Sequence, residues 1–565
     1  MAKKSAQDWI DIYNSGLEYR KVFGLEQTWT DLEAKFFSVS SDCDTGPNIL
    51  ASKGDTIISA LSVPEVGVMV MPRTAEASVS APVVQSFDNG MLEGLDVADA
   101  MEQALTFAFL FGVGLVKIGY DSEFGYDAKL AVGGFGRTLS QFDSKGSLIE
   151  SGKARSGMPW VRAVMPHDVV VPWGTRELAD APYIFHRVVR DVRDVHRDEK
   201  YLPVAKGLKG TISMKDVVLG YSSLKDNAED GTGATSPDAE GEKNFIQLIE
   251  VMDKTEKKVI VIALGDDEPT VIREDENSLQ VDNQLPWVDV CMTLRVRSFW
   301  VTPPAFYAAP HQNELDDIHY QAKVQRRASI LKLLARKGAF SAESKAALLN
   351  SKPGMYVEVE DLGGSLDEVV KYVGANSNLN TLLHIEEESV EANARDTLGI
   401  SRNLAGEYSA HARTSATETG VVQQGGEMRM GRKQKALRKS YRTLLRLLNG
   451  IVAANWTVSQ SARVVGQDGS EKWEQVSAEI LQSSLYTFSV SFSTEHFGSP
   501  LARQQSALQN YQMLMADPRV DKNALLQELI ASLDTPGARM AKGPQQAGVG
   551  ALAPAPGGGG ESANL

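Results

Sequence analysis

A run of glutamates in the second half of the chain could hold a divalent cation. Three of them are consecutive, and a fourth follows at helical spacing. Carboxylate oxygens are the ligands that Mg²⁺ and Ca²⁺ prefer in proteins. The alternative is an acidic stripe on an exposed or channel-facing helix, which is the interpretation we favour. The four residues are Glu386, Glu387, Glu388 and Glu391.

A second candidate for metal binding is the pair Asp316 and Asp317 with His319 two residues further on. Carboxylate and imidazole together could coordinate zinc. Acidic residues are also favoured in the first turn of a helix, where they interact with the helix dipole. We therefore expect these aspartates to begin a helix, and we predict no metal and no cofactor for this protein.

The sequence motifs of the common enzyme classes are missing. The chain has no GxxxxGK[ST] phosphate-binding loop, no HExxH, no GxSxG and no CxxC. Gly112 and Gly114 resemble a loose dinucleotide motif, but without GxGxxG and a downstream acid they favour close backbone packing. We predict a protein that is not an enzyme; a metal-dependent enzyme with an unfamiliar site is the less favoured alternative.

One helical segment, residues 427–456, has an apolar face and a basic face. Leu437, Tyr441, Leu444 and Leu448 recur at about 100° per residue, as on one side of a helix. Residues 400–456 contain ten Lys and Arg against three Glu, a local charge of about +7 in a chain of −15. DNA contact, a solvated face and a salt-bridge partner for a neighbouring subunit all remain possible interpretations. The basic residues of the face are Arg432, Lys435, Lys439, Arg442 and Arg446.

The bulk composition limits the class of protein. With 565 residues the chain is long enough for three or four domain-sized units. A net charge of −15 argues against a protein that coats duplex DNA, but not against one that lets DNA slide past. Two distant cysteines indicate a reducing compartment, and residues 1–11 lack the apolar core of a signal peptide. The longest apolar run, residues 104–116, is too short to span a bilayer.

Hydrophobic periodicity predicts a chain of mixed helices and strands. We expect a connector after Val70, a loop or hairpin at 119–157, loops at 226–242 and 399–414, and a disordered Gly/Ala/Pro tail from 541. The predicted helices are 1–40, 313–337, 342–349, 379–398, 427–456 and 504–533, with a buried helix running into a strand over 91–118. The predicted strands are 160–171, 181–189, 245–253, 257–264, 288–296, 355–359 and 485–492.

Three stretches taken in order resemble the portal proteins of tailed double-stranded DNA bacteriophages. ALTFAFLFGVGLVKIGYD, at 104–121, is similar to the buried helix and strand of the portal wing. The strand pair in LIEVMDKTEKKVIVIAL and then QNELDDIHYQAKVQRR follow in the expected order. TSATE, at 414–418, is similar to the threonine-alanine-threonine-glutamate signature at the start of the long portal helix, with a serine before the alanine. The resemblance covers roughly residues 40–535.

The resemblance implies an α+β fold: a portal-type protomer with a mixed α/β wing, long stem helices, a small α/β clip and a helical crown, assembling into a ring. The implied divisions are 1–311 wing, 312–334 first stem helix, 335–378 clip, 379–398 second stem helix, 399–414 tunnel loop, 415–456 long kinked helix, 457–540 wing return and crown, and 541–565 disordered tail.

The resemblance also implies a function. Portals form a channel, typically of twelve subunits, at one capsid vertex, and double-stranded DNA is packaged and ejected through it. The expected partners are further copies of the chain, the terminase large subunit, a tail adaptor, and the major capsid and scaffolding proteins, with no membrane. The expected location is the virion, with assembly in the host cytoplasm. Another oligomeric virion protein, such as an adaptor or scaffold, is the main alternative.

Candidate DNA contacts follow from the same resemblance. The tunnel loop would carry Arg402, His411 and Arg413 into the channel, and the basic face of the following helix would continue the contact. The acidic residues of the second stem helix, Glu386 to Glu391, would face the channel and repel phosphate.

Overall fold

The computed structural model of the chain describes only part of its residues. Contacts divide the chain after Phe492, and the account below concerns the unit that ends there. The described residues are 4–38, 46–62, 66–125, 157–198, 200–212, 244–265, 268–328, 332–335, 341–342, 344, 370–373, 378–400, 416–456, 460–465, 471–482, 485–492 and 511–512.

Helices and strands alternate irregularly along the chain, and all strand pairs of the described residues are antiparallel. The predicted α+β class is therefore confirmed. The helices are α1 (Ala6–Gly24), α2 (Trp29–Phe36), α3 (Ile49–Leu61), α4 (Ala77–Gly94), α5 (Val97–Phe111), α6 (Val192–Arg197), α7 (Pro304–Ala328), α8 (Asn378–Leu398) and α9 (Ala416–Asn455). The strands are β1 (Val66–Pro72), β2 (Gly114–Gly125), β3 (Gly157–Val164), β4 (Val169–Val170), β5 (Tyr183–Asp191), β6 (Phe245–Asp253), β7 (Lys258–Leu264), β8 (Thr270–Glu276), β9 (Trp287–Val290), β10 (Lys332–Ala335), β11 (Val370–Val373), β12 (Gln460–Val465), β13 (Glu471–Val476) and β14 (Tyr486–Phe492).

A three-stranded sheet in the order β3-β2-β9 lies beside the apolar helix α5. Gly112 ends α5 with φ +88°, a conformation that favours glycine. A Cβ atom on Gly114 would lie 1.8 Å from the carbonyl oxygen of Ala104. The predicted reason for these two glycines, close backbone packing, is confirmed, and so is the predicted helix followed by a strand.

A five-stranded meander in the order β4-β5-β6-β7-β8 forms the second sheet. Its central hairpin joins β6 to β7 through a turn in which the Asp253 carboxylate accepts the backbone N–H of Thr255 at 2.7 Å. The N-terminal helix α1 covers this sheet, where Trp9 and Tyr13 pack edge-on against Phe185. The predicted strands at 181–189, 245–253 and 257–264 are confirmed.

The first and last strands of this unit form a two-stranded sheet, since β1 pairs with β14. Helix α4 lies against β1, where Gln85 and Asn89 accept the backbone N–H groups of Val70 and Val68. We predicted a connector here, and that prediction is wrong. Serine and β-branched residues weaken helix propensity, but burial of this face against the core outweighs propensity.

Helices α7 and α8 pack side by side and bury one apolar cluster between them. The prediction of α8 is confirmed. Helix α7 starts at Pro304 rather than 313, because proline is tolerated in the first turn of a helix. It ends at Ala328, and β10 pairs with β11 where we had predicted continued helix. The apolar run ILKLLA fits either structure, and cross-strand pairing selects the strand.

Several other boundaries differ from those predicted. The helix at 1–40 is two helices, α1 and α2, which are separated at Leu25 with φ +54°. The strand at 160–171 is two strands, β3 and β4, in different sheets. Strand β2 runs on to Gly125 and pairs with β3, so the ends of the 119–157 segment form a hairpin. Helix α9 begins at Ala416 rather than 427. The predicted strand at 288–296 is shorter, because β9 ends at Val290.

The predicted strand at 355–359, the loop at 226–242 and the C-terminal tail lie outside the described residues. So do all but 399–400 of the predicted loop at 399–414, all but 511–512 of the predicted helix at 504–533, and most of the predicted helix at 342–349. None of the helices in the described ranges is both long and apolar enough to cross a membrane.

Candidate nucleic-acid interface

Helix α9 is 40 residues long, and the second half of it lies across the β3-β2-β9 sheet and β14. The residues predicted to form its apolar face are buried, so the predicted amphipathic helix is confirmed. Ser440 fixes the helix to the sheet, because its hydroxyl donates to the carbonyl of Asp289 at 2.7 Å. The buried residues of this face are Leu437, Tyr441, Leu444, Leu445, Leu448, Ile451 and Val452.

The opposite face carries a stripe of cations at alternating intervals of three and four residues. This spacing places all five on one side of the helix, with neighbours about 5–6 Å apart. Arg432, Lys435 and Arg442 are exposed to solvent. A straight row of exposed positive charge is a surface that can contact a phosphate backbone without reading sequence.

Two members of the stripe are engaged with their own chain. Lys439 forms an exposed ion pair with Glu177 at 3.1 Å, a contact of little energetic weight. Arg446 is half-buried and donates to the side-chain carbonyl of Gln284. These contacts give Arg446 a role in the fold, and its role as a DNA contact stays a prediction.

The end of α8 lies against α9. Gly399 ends α8 with φ +73°, and Ile400 is buried in the main core. The ammonium of Lys433 donates to the Leu398 carbonyl at 3.5 Å, a favourable position for a cation at the C-terminus of a helix. Burial lowers the pKa of Lys433.

The predicted tunnel loop starts directly after this junction and ends where α9 begins. Its candidate DNA contacts, Arg402, His411 and Arg413, lie outside the described residues. The structure therefore brings together the basic residues of α9 but does not test the loop residues that would extend them.

The predicted acidic residues lie along α8. Glu386 and Glu388 are exposed, and Glu391 is half-buried. The carboxylate of Glu387 lies 3.1 Å from Nε2 of His319 on α7 and 3.3 Å from Nδ1 of His384. Glu387 thus serves the packing of α8 on α7, and the channel-facing role of the other three stays a prediction.

Asp316, from the second candidate metal site, also makes hydrogen bonds within its own chain. Asp316 lies in the middle of α7, not in the first turn as predicted. One of its carboxylate oxygens accepts the backbone N–H of Gly46 and the side-chain amide of Gln312, both at 2.9 Å. Within the part of the chain that the structure describes, no group of three or more His, Cys, Asp or Glu side chains could hold a metal ion.

A buried charged cluster that the sequence did not indicate joins the two larger sheets. The Lys117 ammonium on β2 lies 2.5 Å from the Glu250 carboxylate on β6 and 3.2 Å from Nδ1 of His186 on β5. Burial by itself would raise the pKa of Glu250, but Lys117 and His186 lower it to about 2. A lysine among the apolar residues of a strand was the one available signal.

Comparisons with known proteins give structural similarity without a family. No protein-family model and no curated protein matches the sequence. A chain from the virion of a native gene transfer agent particle is 9% identical with a TM-score of 0.36, covering 89% of this chain and 93% of that one. A chain from the neck of the native particle, computed with C12 symmetry, is 9% identical with a TM-score of 0.36 and coverages of 90% and 94%. A chain from the neck of the empty particle, computed with C6 symmetry, is 10% identical with a TM-score of 0.36 and coverages of 89% and 93%.

Proposed function

We propose that this chain is the subunit of a portal ring, through which double-stranded DNA enters and leaves the capsid of a tailed phage or related particle. The observation that supports this proposal most is the exposed row of Arg432, Lys435 and Arg442 on α9 in a chain whose net charge is −15. The order of sequence elements, which resembles that of portals, supports it independently.

The proposed mechanism is electrostatic and geometric. An acidic ring repels phosphate and keeps DNA from adhering to the bore. Sparse cations on α9 and in the loop before it, including Arg402 and Arg413, make weak contacts that form and break as DNA moves. The channel itself hydrolyses no nucleotide, and a separate terminase motor supplies the energy.

The proposed partners follow from that position at a capsid vertex. The ring would contact the major capsid and scaffolding proteins during assembly, the terminase large subunit during packaging and a tail adaptor afterwards. The proposed location is the virion, after assembly in the host cytoplasm.

Assembly is the first test. We expect purified protein to form rings of about twelve subunits with a central hole, seen by negative-stain microscopy and sized by light scattering. Open polymers, or a protein that joins a ring only when another chain is present, would instead support a scaffold or an adaptor.

DNA packaging is the second test. The triple change Arg432→Gln, Lys435→Gln and Arg442→Gln should lower the amount of protected DNA while rings still form. A matched control changes three exposed lysines outside α9: Lys200→Gln, Lys206→Gln and Lys209→Gln. Equal packaging by both triple variants would contradict the proposal that α9 contacts DNA in the channel. Normal packaging by the double variant Arg402→Ala and Arg413→Ala would likewise contradict DNA contact by the tunnel loop.

A further inference from the structure

Helices α7 and α8 lie side by side as a two-helix layer. Two side-chain contacts at different positions along the helices fix which residues of α7 lie beside which residues of α8. Nε2 of His311 lies 3.2 Å from the Thr397 hydroxyl, and Nε2 of His319 lies 3.1 Å from the Glu387 carboxylate. The helices run antiparallel, so each residue of α7 has a residue of α8 at its own height. The facing sides are filled by a buried cluster that includes Leu315.

Helix α7 has a second stripe on the side that faces away from α8. Its members are separated by alternating intervals of four and three residues, the pattern of a seam between two packed helices. All six are exposed, although four are apolar; Phe306 is 37%, Tyr320 53% and Val324 44% exposed. The stripe consists of Phe306, Pro310, Asn313, Asp317, Tyr320 and Val324.

Helix α8 has a matching stripe on the opposite side of the layer. Its intervals alternate between three and four residues, and its two large members, Leu382 and Ile385, are 55% and 57% exposed. The remaining members are small or polar. The stripe consists of Leu382, Ile385, Ser389, Ala392 and Asp396.

The two stripes carry large apolar residues at the same heights where α7 ends and α8 begins, although Phe306 and Pro310 near the start of α7 have no apolar counterpart on α8. Given the alignment set by the two histidine contacts, Val324 is level with Leu382 and Tyr320 is level with Ile385. Asp317 is level with Ser389, whose hydroxyl can donate to a carboxylate. Large apolar residues on one side of the layer therefore stand at the height of large apolar residues on the other.

We infer that these stripes are the two halves of one interface between copies of this chain, in which the outer stripe of α7 packs against the outer stripe of α8 in the next copy. This inference rests on the proposed ring. Rotation about an axis parallel to the helices keeps every residue at its height, so it brings the level pairs together. Because the two halves lie on opposite sides of the layer, the contact is front-to-back, which is the kind that closes into rings.

A two-fold contact between α7 stripes is the competing arrangement. Run antiparallel, it would place Val324 of one copy near Phe306 of the other. It would leave Leu382 and Ile385 exposed in both copies, whereas the front-to-back contact covers both stripes in every copy of a closed ring. Burial of exposed apolar surface favours the arrangement that covers more of it.

Two face variants and a control test the interface. The α7 variant combines Tyr320→Glu with Val324→Glu, and the α8 variant combines Leu382→Glu with Ile385→Glu. We expect each variant alone to be monomeric by light scattering. Each keeps one intact half, so an equimolar mixture should give heterodimers and nothing larger. The control, Val79→Glu with Val204→Glu, changes residues that are 82% and 57% exposed elsewhere and should still form rings.

Three other results of that experiment would each overturn a specific statement. If either face variant still forms rings, the inferred interface is wrong, whereas the proposed function is not contradicted. Homodimers from the α8 variant would indicate the two-fold contact instead. If the wild-type chain stays monomeric at every concentration, both the proposed ring and the inferred interface are wrong.

Cysteine cross-linking tests the matching of heights. In a background of Cys43→Ser and Cys291→Ser, the pair Val324→Cys and Leu382→Cys should give a ladder of oxidised multimers on a denaturing gel. The control pair, Val324→Cys and Asp396→Cys, is displaced by fourteen residues, or about 21 Å of helix, and should give none. Equal ladders from both pairs, or none from the first, would overturn the inferred alignment.

Discussion

Asp88 on α4 and Asn449 on α9 meet in the core, and neither side chain has any solvent exposure. Burial raises the pKa of the Asp88 carboxyl, and contact with the Asn449 amide opposes this only in part, leaving that pKa at about 8. A carboxyl in this environment is protonated at neutral pH and acts as a neutral polar group between two helices. Deprotonation would place a charge in the core.

The pH dependence of stability should report this carboxyl. Its pKa rises from about 3.8 in the unfolded chain to about 8 in the folded one, so the folded state binds its proton more tightly and stability falls as pH rises through that window. At pH 9, Asp88→Asn should be more stable than wild type by about 1–3 kcal/mol, with the gain shrinking toward pH 6.5.

Thermal unfolding measured between pH 6.5 and 9 checks this prediction. The lower limit avoids His167, whose pKa burial lowers to about 4. The matched control is Asp55→Asn on α3, an exposed aspartate whose variant should follow the wild-type curve. Parallel curves for wild type and Asp88→Asn would contradict the assigned pKa.

Removing one charge from the pair Lys117 and Glu250 should lower the free energy of unfolding much more than replacing both residues with apolar ones. Their side chains are only 10% and 20% exposed. Glu250→Gln leaves the Lys117 ammonium without its countercharge, and we expect a loss of about 3 kcal/mol in the free energy of unfolding. The double change Lys117→Met and Glu250→Leu removes both charges and should recover most of that loss.

Urea unfolding at pH 7 measures both variants. The low pKa of Glu250 adds a second readout: its stabilisation is present above about pH 4.5 and is lost as pH falls toward 2, so wild type and Glu250→Gln should converge in acid. A double variant less stable than the single one would show that the charged cluster itself stabilises the sheets.

Local periodicity explains what could be predicted from the sequence. The apolar face of α9 and the apolar, β-branched runs of β6 and β7 are set by neighbouring residues, and both strands formed where their patterns indicated. The acidic and basic faces of α8 and α9 could be placed for the same reason. The periodicity of a helix fixes which residues share a side, whatever the rest of the chain does.

Contacts between distant residues explain what could not be predicted. The partners of Lys439 and Arg446 are Glu177 and Gln284, which lie 262 and 162 residues away along the chain. Nothing near either cation in the sequence indicates that it binds its own chain. The burial of Asp88 is equally invisible, since an aspartate between helical neighbours is usually on the solvent side.

Substitution by alanine should have opposite effects on stability at two glycines, because close backbone packing requires glycine at one position and not at the other. At Gly114 an added Cβ would lie 1.8 Å from a backbone oxygen, so Gly114→Ala must move the chain and should lower stability by more than 1 kcal/mol, on the order of 1–3 kcal/mol. Gly90 lies within α4 with no atom within 4 Å of an added Cβ, so Gly90→Ala should raise stability by about 0.5–1 kcal/mol. Urea unfolding of both variants checks the opposite signs, and a destabilised Gly90→Ala would place an unseen neighbour beside α4.

Arg442 and Arg446 are one helical turn apart, but we expect substitution of Arg442 to change DNA binding and substitution of Arg446 to change stability. Arg446→Gln loses the bond to Gln284 and should cost about 1–2 kcal/mol in the free energy of unfolding. Arg442 is exposed, so Arg442→Gln should change that free energy by less than about 0.5 kcal/mol. If Arg442 contacts phosphate in the proposed channel, its loss should reduce the slope of log affinity against log salt by about 0.9 for each subunit of the ring that makes this contact. The measurement is duplex binding by assembled rings between about 50 and 200 mM salt. An unchanged slope would assign the exposed basic face of α9 to a partner other than DNA.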